Sequence, residues 1–214
     1  MNEKIPGPHQ EQPVFSRGRP LAEAERVMIL IHGRGATAPS ILELAPLLAP
    51  TGFAVLAPQA AGNSWYPYSF LSPLERNQPG LSSGLQVVAD LVAEAEAAGI
   101  PAERIVLGGF SQGACLASEF AARHPRRYGG LLIFSGGVIG PLGMERQDEG
   151  DLAGTPVFIG CSDVDFHIPV ERVHETADIF TSLGAAVQKK IYPQMGHTII
   201  QDEIDQARKI TNGL

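Results

Sequence analysis

The chain has 214 residues, of which 44% are hydrophobic and 18% are charged, and 16 Lys and Arg against 23 Asp and Glu give a formal net charge of −7. This length and composition predict one domain that buries its own core, and they exclude a largely disordered chain. The acidic balance lacks the basic surface of a nucleic-acid-binding protein, so no nucleic acid partner is expected.

The N-terminal segment is polar and contains proline. We expect residues 1–13 to form a loose lead-in, followed by a single domain over residues 14–214. The lead-in lacks the apolar core of a signal peptide, and no apolar run of 18 residues occurs, so a cytoplasmic location without stable membrane insertion is expected. Cys115 and Cys161 lie in apolar segments and are expected to be buried, reduced thiols, with no zinc site.

Short apolar segments alternate with longer segments of helical periodicity along the rest of the chain. The apolar runs predict strands at residues 27–31, 53–57, 104–107, 131–134, 157–159 and 187–192, and residues 14–16 could add an antiparallel edge strand. Helices are predicted at residues 40–48, 81–98, 112–123, 169–183 and 199–210. Continuous apolar strands separated by helices are typical of an α/β fold with a mostly parallel sheet and helices on both faces.

Two segments do not follow this alternation. Residues 58–79 contain a cluster of aromatic side chains without clean periodicity, and residues 139–154 are rich in glycine and charge. Long irregular loops in compact domains often carry function. Both segments are therefore candidate pocket walls.

The turn at residues 109–113 carries the strongest chemical signal. Its sequence, Gly-Phe-Ser-Gln-Gly, follows a predicted strand and opens a predicted helix, which is the context of a nucleophile elbow. Its glycines allow close backbone approach, and the start of the helix directs amide groups toward developing negative charge. Ser111 is therefore the predicted nucleophile, and the alternative is a serine that only caps the helix.

A serine nucleophile needs an adjacent base that is itself oriented by an acid. In α/β-hydrolases the acid and then the base follow the serine along the chain, in loops after later strands. His197 lies between the last predicted strand and the last predicted helix and is the predicted base, whereas His167 shares a loop with the candidate acids. Those acids are Asp163 and Asp165, and spacing alone does not decide between them.

Acyl transfer also requires two hydrogen-bond donors for the oxyanion. The backbone N–H of Gln112, directly after the nucleophile, is the first candidate. The His-Gly-Arg-Gly turn after predicted strand 27–31 supplies the second, with the N–H of Arg34 as the best candidate and that of Gly35 next. A phosphate-binding loop is the alternative for this turn, but both usual glycine spacings of such loops are missing.

Together these features resemble the bacterial phospholipase/carboxylesterase family, small α/β-hydrolases related to acyl-protein thioesterases. The resemblance extends from about residue 25 to the end and is carried by residues 27–36, 108–122, 134–137, 161–173 and 192–198. It implies the α/β-hydrolase fold and a Ser–His–Asp hydrolase without metal or organic cofactor. The family's serine and histidine fall on Ser111 and His197, and its aspartate, four residues before a proline, falls on Asp165. At this length there is no room for a separate cap domain.

The expected activity is that of a carboxylic ester hydrolase, a serine carboxylesterase for short- to medium-chain esters, with thioesters and lysophospholipids left open as substrates. Trp65, Tyr66 and Phe70 are predicted to be apolar pocket walls, unless one or more of them closes the core. They are similar to the aromatic segment of a bacterial subgroup, so specificity for lipidated proteins is not carried over. The expected partner is a small-molecule ester, and the chain is expected to be a monomer or homodimer. The alternative function is a catalytically silent α/β-hydrolase that binds a small ligand or a partner.

Overall fold

The computed structural model describes residues 7–214. Seven strands form one sheet in the order β1-β3-β2-β4-β5-β6-β7. Strand β1 pairs antiparallel with β3, and all other neighbours are parallel, so the predicted mostly parallel sheet and its antiparallel edge strand are confirmed. The strands are β1 (Val14–Gly18), β2 (Arg26–Ile31), β3 (Phe53–Pro58), β4 (Ile105–Phe110), β5 (Gly130–Phe134), β6 (Pro156–Ser162) and β7 (Ala186–Tyr192).

Among residues 7–214, six α-helices cover the two faces of the sheet. They are α1 (Ala38–Ile41), α2 (Ala45–Leu48), α3 (Gly80–Ala97), α4 (Gln112–Arg123), α5 (Val170–Ser182) and α6 (Gln201–Asn212). Alternate residues of β2 point to opposite faces, as the pleat requires. Val27 and Ile29 pack in the core cluster that contains α3, α4 and α5, whereas Met28 packs in the cluster that contains α1, α2 and α6. Within residues 7–214 the chain forms no separate cap domain.

The predicted helix at residues 40–48 is interrupted. The chain forms α1, a single 3₁₀ turn at Leu42–Leu44, and then α2. Pro46 lies in the first turn of α2. Because proline has no N–H and its ring collides with the carbonyl four residues earlier, it cannot continue a helix that begins before it. The prediction of one continuous helix is therefore wrong at this position.

The N-terminal segment is held against the domain where the structure describes it. His9 is only 3% exposed, and its backbone N–H donates to Ser83 Oγ at 3.0 Å. The imidazole Nδ1 accepts a hydrogen bond from the amide of Ala61 at 3.0 Å. The prediction of a loose lead-in is therefore wrong for residues 7–13, because buried hydrogen bonds to residues far along the chain hold them. Residues 1–6 of that lead-in lie outside the described residues.

The remaining global expectations concern cysteines, metal sites and membranes. Cys115 and Cys161 are both buried and unpaired, as predicted. Burial raises the pKa of each thiol to about 12, so both remain protonated at neutral pH. Among residues 7–214 no group of three His, Cys, Asp or Glu side chains could hold a metal ion. No described helix is long and apolar enough to cross a bilayer.

Candidate active site

Ser111 occupies the sharp turn between β4 and α4. Its backbone angles, φ 55° and ψ −120°, lie outside the regions that a residue with a side chain normally adopts. The turn is held because the Ser111 N–H donates to the carbonyl of Phe134 at 3.0 Å. A side chain at Gly113 would overlap the carbonyl oxygen of Ile31. Glycine is therefore required there for α4 to begin so close to β2.

Ser111 is connected through His197 to Asp165 by two hydrogen bonds. Oγ of Ser111 lies 2.9 Å from His197 Nε2, and His197 Nδ1 lies 2.7 Å from Asp165 Oδ2. The three residues follow β4, β7 and β6, whose carboxyl ends meet at one edge of the sheet because these strands are parallel. Residues up to 86 positions apart in the chain are thus brought into one hydrogen-bonded row.

The environment of Asp165 favours its ionised form. Burial acts to raise the pKa of this carboxyl group, but the hydrogen bond from His197 opposes it. The backbone amides of His167 and Ile168 add two further hydrogen bonds, at 2.8 and 3.1 Å, to Oδ1. The net result is a pKa below the usual 3.8, so Asp165 carries a negative charge next to His197 at neutral pH.

Asp163 and His167, the other candidate acid and base, lie near this hydrogen-bonded row but make different contacts. Asp163 accepts the amide of Gln194 at 2.8 Å through Oδ1 and supports the loop that leads to His197. His167 lies on the wall of the cleft, with its ring centroid 4.7 Å from that of His197. The structure therefore brings Asp165, and not Asp163, to the imidazole.

The turn after β2 lies against Ser111. A Cβ placed on Gly33 would be 3.4 Å from that of Ser111. His32 Nδ1 lies 2.8 Å from the carbonyl oxygen of Gly33. The carbonyl and the amide of a trans peptide point in opposite directions, so the N–H of Arg34, in the same peptide group, points away from His32. The N–H of Gly35 is already donated to Asn63 O at 2.7 Å. Of these two backbone amides, only that of Arg34 makes no hydrogen bond to the described residues.

Gln112 contributes two different groups to the site. It is the first residue of α4, and its backbone N–H has no partner within the helix. Its buried side chain accepts the N–H of Trp65 at 2.9 Å and donates to the carbonyl of Tyr66 at 2.8 Å. The side chain therefore holds the aromatic segment against the turn that carries Ser111. The sequence pattern indicates only the backbone donor, because nothing in a lone glutamine points to so distant a side-chain partner.

An open cleft of about 480 Å³ lies over Ser111 and His197. Tyr66 and Phe70, only 2% and 6% exposed, line it together with Phe110. Another wall of the cleft includes His167 and Ile168, which follow Asp165 in the chain. The exposed Tyr68 lies at the rim. The full lining consists of Gly33, Arg34, Ala36, Tyr66, Pro67, Tyr68, Ser69, Phe70, Phe110, Ser111, Gln112, Cys115, His167, Ile168 and His197.

Trp65 does not line the cleft, so its predicted role as a pocket wall is wrong. Its side chain is fully buried, with the indole N–H donating to the carbonyl of His32 at 2.9 Å. The imidazole ring centroids of His9 and His32 lie 5.1 and 5.2 Å from that of the indole. Trp65 therefore closes the core, whereas Tyr66, the next residue along the chain, lines the cleft.

The two irregular segments, residues 58–79 and 139–154, lie in different places relative to the cleft. Of residues 58–79, those at 66–70 line the cleft, and the Arg34 guanidinium holds them by donating to the carbonyls of Pro67 and Tyr68 at 2.8 and 2.7 Å. None of residues 139–154 lines the cleft, so the second predicted wall is wrong. That segment is instead tied to Glu119, which accepts the amide of Ile139 and pairs with Arg146 at 3.0 Å.

Comparison with known sequences identifies one family. A family model described as Phospholipase/Carboxylesterase matches residues 18–213. Among curated proteins, the acyl-protein thioesterase 1 of Eremothecium gossypii is 33% identical over 215 residues, which covers 91% of this chain and 88% of that protein.

Solved structures show the same architecture. The crystal structure of a phospholipase/carboxylesterase from Dyadobacter fermentans is 43% identical, with a TM-score of 0.91, and the match covers 97% of this chain and 98% of that one. The Bacillus cereus carboxylesterase has a TM-score of 0.74 and covers 95% of both chains, but at 19% identity it supports the fold alone. The α/β-hydrolase fold expected from the sequence is thereby confirmed.

Proposed function

The chain belongs to the phospholipase/carboxylesterase family of hydrolases, and we propose that it is a serine carboxylesterase whose nucleophile, base and acid are Ser111, His197 and Asp165. The observation that carries this proposal is the continuous row of two hydrogen bonds, 2.9 and 2.7 Å long, from the Ser111 hydroxyl to the Asp165 carboxylate. A serine on a strained turn, within hydrogen-bond distance of an oriented imidazole, is the arrangement that activates a hydroxyl for attack.

The first half of the reaction acylates the enzyme. His197 Nε2 takes the hydroxyl proton as Ser111 Oγ bonds to the ester carbonyl carbon, and the electron pair of the C=O bond moves onto its oxygen. Collapse of this tetrahedral intermediate breaks the bond to the leaving alkoxide, which receives the proton from His197. Asp165 holds Nδ1 of the imidazole in the protonated tautomer and stabilises the positive charge that His197 carries between these two transfers.

The second half releases the acid. Water gives a proton to His197 as its oxygen bonds to the acyl carbon, and the second tetrahedral intermediate expels Ser111 Oγ, which recovers that proton. In both halves the backbone N–H groups of Arg34 and Gln112 would bind the oxyanion. Both amides border the cleft beside Ser111, and removal of one such donor costs on the order of 3 kcal/mol of transition-state stabilisation in serine hydrolases.

The cleft suits short- to medium-chain carboxylic esters. Tyr66 and Phe70 supply an apolar wall for the acyl group, and the cleft is open to solvent. Thioesters use the same acyl-transfer steps, and the relative in Eremothecium gossypii is named as a thioesterase, so a thioester belongs in the substrate panel.

The proposal is tested with p-nitrophenyl esters from acetate to palmitate and with an acyl-thioester arm. We expect turnover that Ser111→Ala abolishes, with the highest kcat/KM at a short or medium chain. A fluorophosphonate probe should label the parent protein and the control Ser182→Ala, a change to an exposed serine at the end of α5, but not Ser111→Ala. Failure of both turnover and labelling would refute the proposed triad and favour a ligand-binding protein.

A further inference from the structure

A groove next to the cleft shares part of the cleft's lining. It has a volume of about 350 Å³ and lies between α1 and the segment that leads into α6. Gly33, Ala36, Phe110 and His197 line both spaces, whereas Ser111 lines the cleft alone. The groove is therefore continuous with the proposed active site at the imidazole of His197, and it continues past that ring along residues that the cleft does not touch.

The side chains along the rest of the groove are mostly apolar and come from different elements. Ile41 is the last residue of α1, and Leu44 ends the 3₁₀ turn that follows. Ile199 lies just before α6, and Phe110 ends β4. Leu44, Phe110 and Ile199 pack on the core cluster that contains α1, α2 and α6 but remain partly exposed. Partly exposed apolar side chains that converge from separate elements form the kind of concave surface that binds apolar ligands.

The part of the chain that the structure describes gives the groove no permanently charged side chain. None of its lining residues is Lys, Arg, Asp or Glu. Its two titratable groups are the imidazoles of His32 and His197, and His32 is neutral because its Nε2 accepts the amide of Ala60 at 3.1 Å. The groove therefore offers neither a carboxylate for a cationic group nor a cation for a phosphate, although the protein as a whole carries a net charge of −7.

The proposed reaction places the two halves of an ester beside different residues. The acyl carbon bonds to Ser111 Oγ, so the acyl chain begins in the cleft, where Tyr66 and Phe70 supply its wall. The leaving oxygen receives its proton from His197 Nε2, so the alcohol chain begins beside that imidazole. Because the groove continues from the same imidazole without including Ser111, it is the space that the alcohol, rather than the acyl chain, reaches.

The wall of the groove nearest to the base is ordered before a substrate arrives. The ring centroid of Phe110 lies 4.8 Å from that of His197, with 36° between the ring planes. The imidazole is itself held by its hydrogen bonds to Ser111 and Asp165, 2.9 and 2.7 Å long. A surface that is already ordered binds a chain at a smaller entropic cost.

We propose that this groove binds the alcohol part of the ester, so that the preferred substrates release neutral, apolar alcohols. This inference rests on the proposed esterase function and narrows its substrate class. It counts against lysophospholipids, because the charged glycerophosphate group that they release would find no charged partner among the lining residues.

The first test keeps the acyl group constant and changes the alcohol. Hydrolysis of hexyl acetate and methyl acetate is followed by pH-stat titration, and the readout is the ratio of their kcat/KM values, which include the step that releases the alcohol. We expect the parent protein to prefer hexyl acetate by about tenfold, because the longer chain buries apolar surface in the groove. Leu44→Ser should reduce the ratio to about threefold, since part of the apolar wall is lost. The matched control Leu47→Ser changes an exposed leucine of α2 outside the groove and should keep the parent ratio.

The second test changes only the charge of the alcohol. 3,3-Dimethylbutyl acetate and acetylcholine have nearly the same shape, but acetylcholine releases a cationic alcohol. After correction for spontaneous hydrolysis, we expect kcat/KM to be about tenfold higher for the neutral ester, because a cation that enters the groove loses water without gaining a charged partner. Equal or faster turnover of acetylcholine would overturn the inference.

An acyl series distinguishes a contact with the alcohol from general damage to the site. The ratio of kcat/KM for methyl hexanoate to that for methyl acetate should change by less than about twofold in Leu44→Ser, because Leu44 does not line the cleft. If Leu44→Ser does not fold, Ile199→Ser replaces it, with the same expected result. A parent ratio near one for the two acetates, or an equal change of the alcohol and acyl ratios in the variant, would overturn the inference.

Failure of the inference is separable from failure of the proposed function. Turnover with equal rates for the two acetates overturns the inference alone, whereas absence of both turnover and fluorophosphonate labelling overturns both. If Ser111 is labelled but no acetate is cleaved, protection against labelling by 1-hexanol is measured in the parent and in Leu44→Ser. Protection that is weaker in Leu44→Ser would support the inference, and equal protection or none would overturn it.

Discussion

His9 and His32 accept hydrogen bonds from two consecutive backbone amides, at 3.0 Å from Ala61 and 3.1 Å from Ala60. In each ring the other nitrogen therefore carries the proton and donates to a carbonyl oxygen, which for His9 is that of Trp65 at 2.9 Å. The two rings thus connect the N-terminal segment, the start of the cleft loop and the turn after β2. Both must be neutral, because a protonated ring has no lone pair for the amide.

The hydrogen bonds that the neutral rings of His9 and His32 accept predict that the protein loses stability in mild acid. Burial lowers the pKa of both histidines below the ordinary 6.5, so the unfolded chain binds more protons than the folded one in acid. Their contribution to the free energy of unfolding is therefore fully present above about pH 6.5 and decreases as the pH falls below it. We expect His9→Gln to lower the urea midpoint clearly at pH 8 but much less at pH 5.

The control for this prediction is Gln10→Ala, which removes the hydrogen bond from the Gln10 amide to the carbonyl of Ser83 in the same segment. Because a glutamine side chain carries no titratable group, the loss in midpoint should be the same at both pH values. A His9→Gln deficit that is equally large at pH 5 and pH 8 would contradict the protonation argument and leave only a packing role for His9.

The two aspartates after β6 should differ sharply in their effect on catalysis. Asp165→Asn replaces the charge that orients His197, a change that lowers kcat by roughly 10⁴-fold in serine proteases with the same arrangement. Asp163→Asn keeps an oxygen that can accept the amide of Gln194, so kcat should fall less than about tenfold. Steady-state hydrolysis of the best p-nitrophenyl ester measures both, and comparable losses in the two variants would refute the assignment of the acid to Asp165.

Glu203 should destabilise the protein at alkaline pH. Its carboxyl group is fully buried in the first turn of α6, where one oxygen accepts the amide of Ile200 at 2.9 Å and the other has no partner among the described residues. Burial raises its pKa from 4.5 to about 7, so the folded state holds a proton that the unfolded chain has released. The free energy of unfolding therefore falls as the pH rises from about 4.5 to about 7, and the loss is complete above that range.

Glu203→Gln removes this charge and keeps an oxygen for the Ile200 amide. We expect the variant to unfold at a higher temperature than the parent at pH 8 and to lose that advantage at pH 5. Glu94→Gln, on the exposed face of α3, has no buried charge to remove and should show no such pH-dependent gain. An equal shift for Glu203→Gln at both pH values would show that its charge is not the cause.

Local sequence patterns predicted most of the fold, because each element depends mainly on its own residues. The continuous apolar runs of the parallel strands and the apolar spacing of α3 and α4 are such local signals. The sequence pattern of the elbow around Ser111 is also local, although the contacts that require its glycines include the distant Ile31 of β2. Pro46 is a local signal too, because it lacks the N–H that a continuous helix over residues 40–48 requires.

The sequence by itself therefore determined the order of strands and helices, the nucleophile turn and the loops from which an acid and a base could come. The spacing of the residues left Asp163 and Asp165 open, the family resemblance favoured Asp165, and the structure has Asp165 in contact with His197. Only the tertiary structure decided that Tyr66 faces the cleft while Trp65 closes the core, and that His9 is buried. The physical reason is that irregular loops have no period from which side-chain direction can be derived. Their geometry is set by hydrogen bonds to distant residues, such as the one from His9 to Trp65 across 56 positions of the chain.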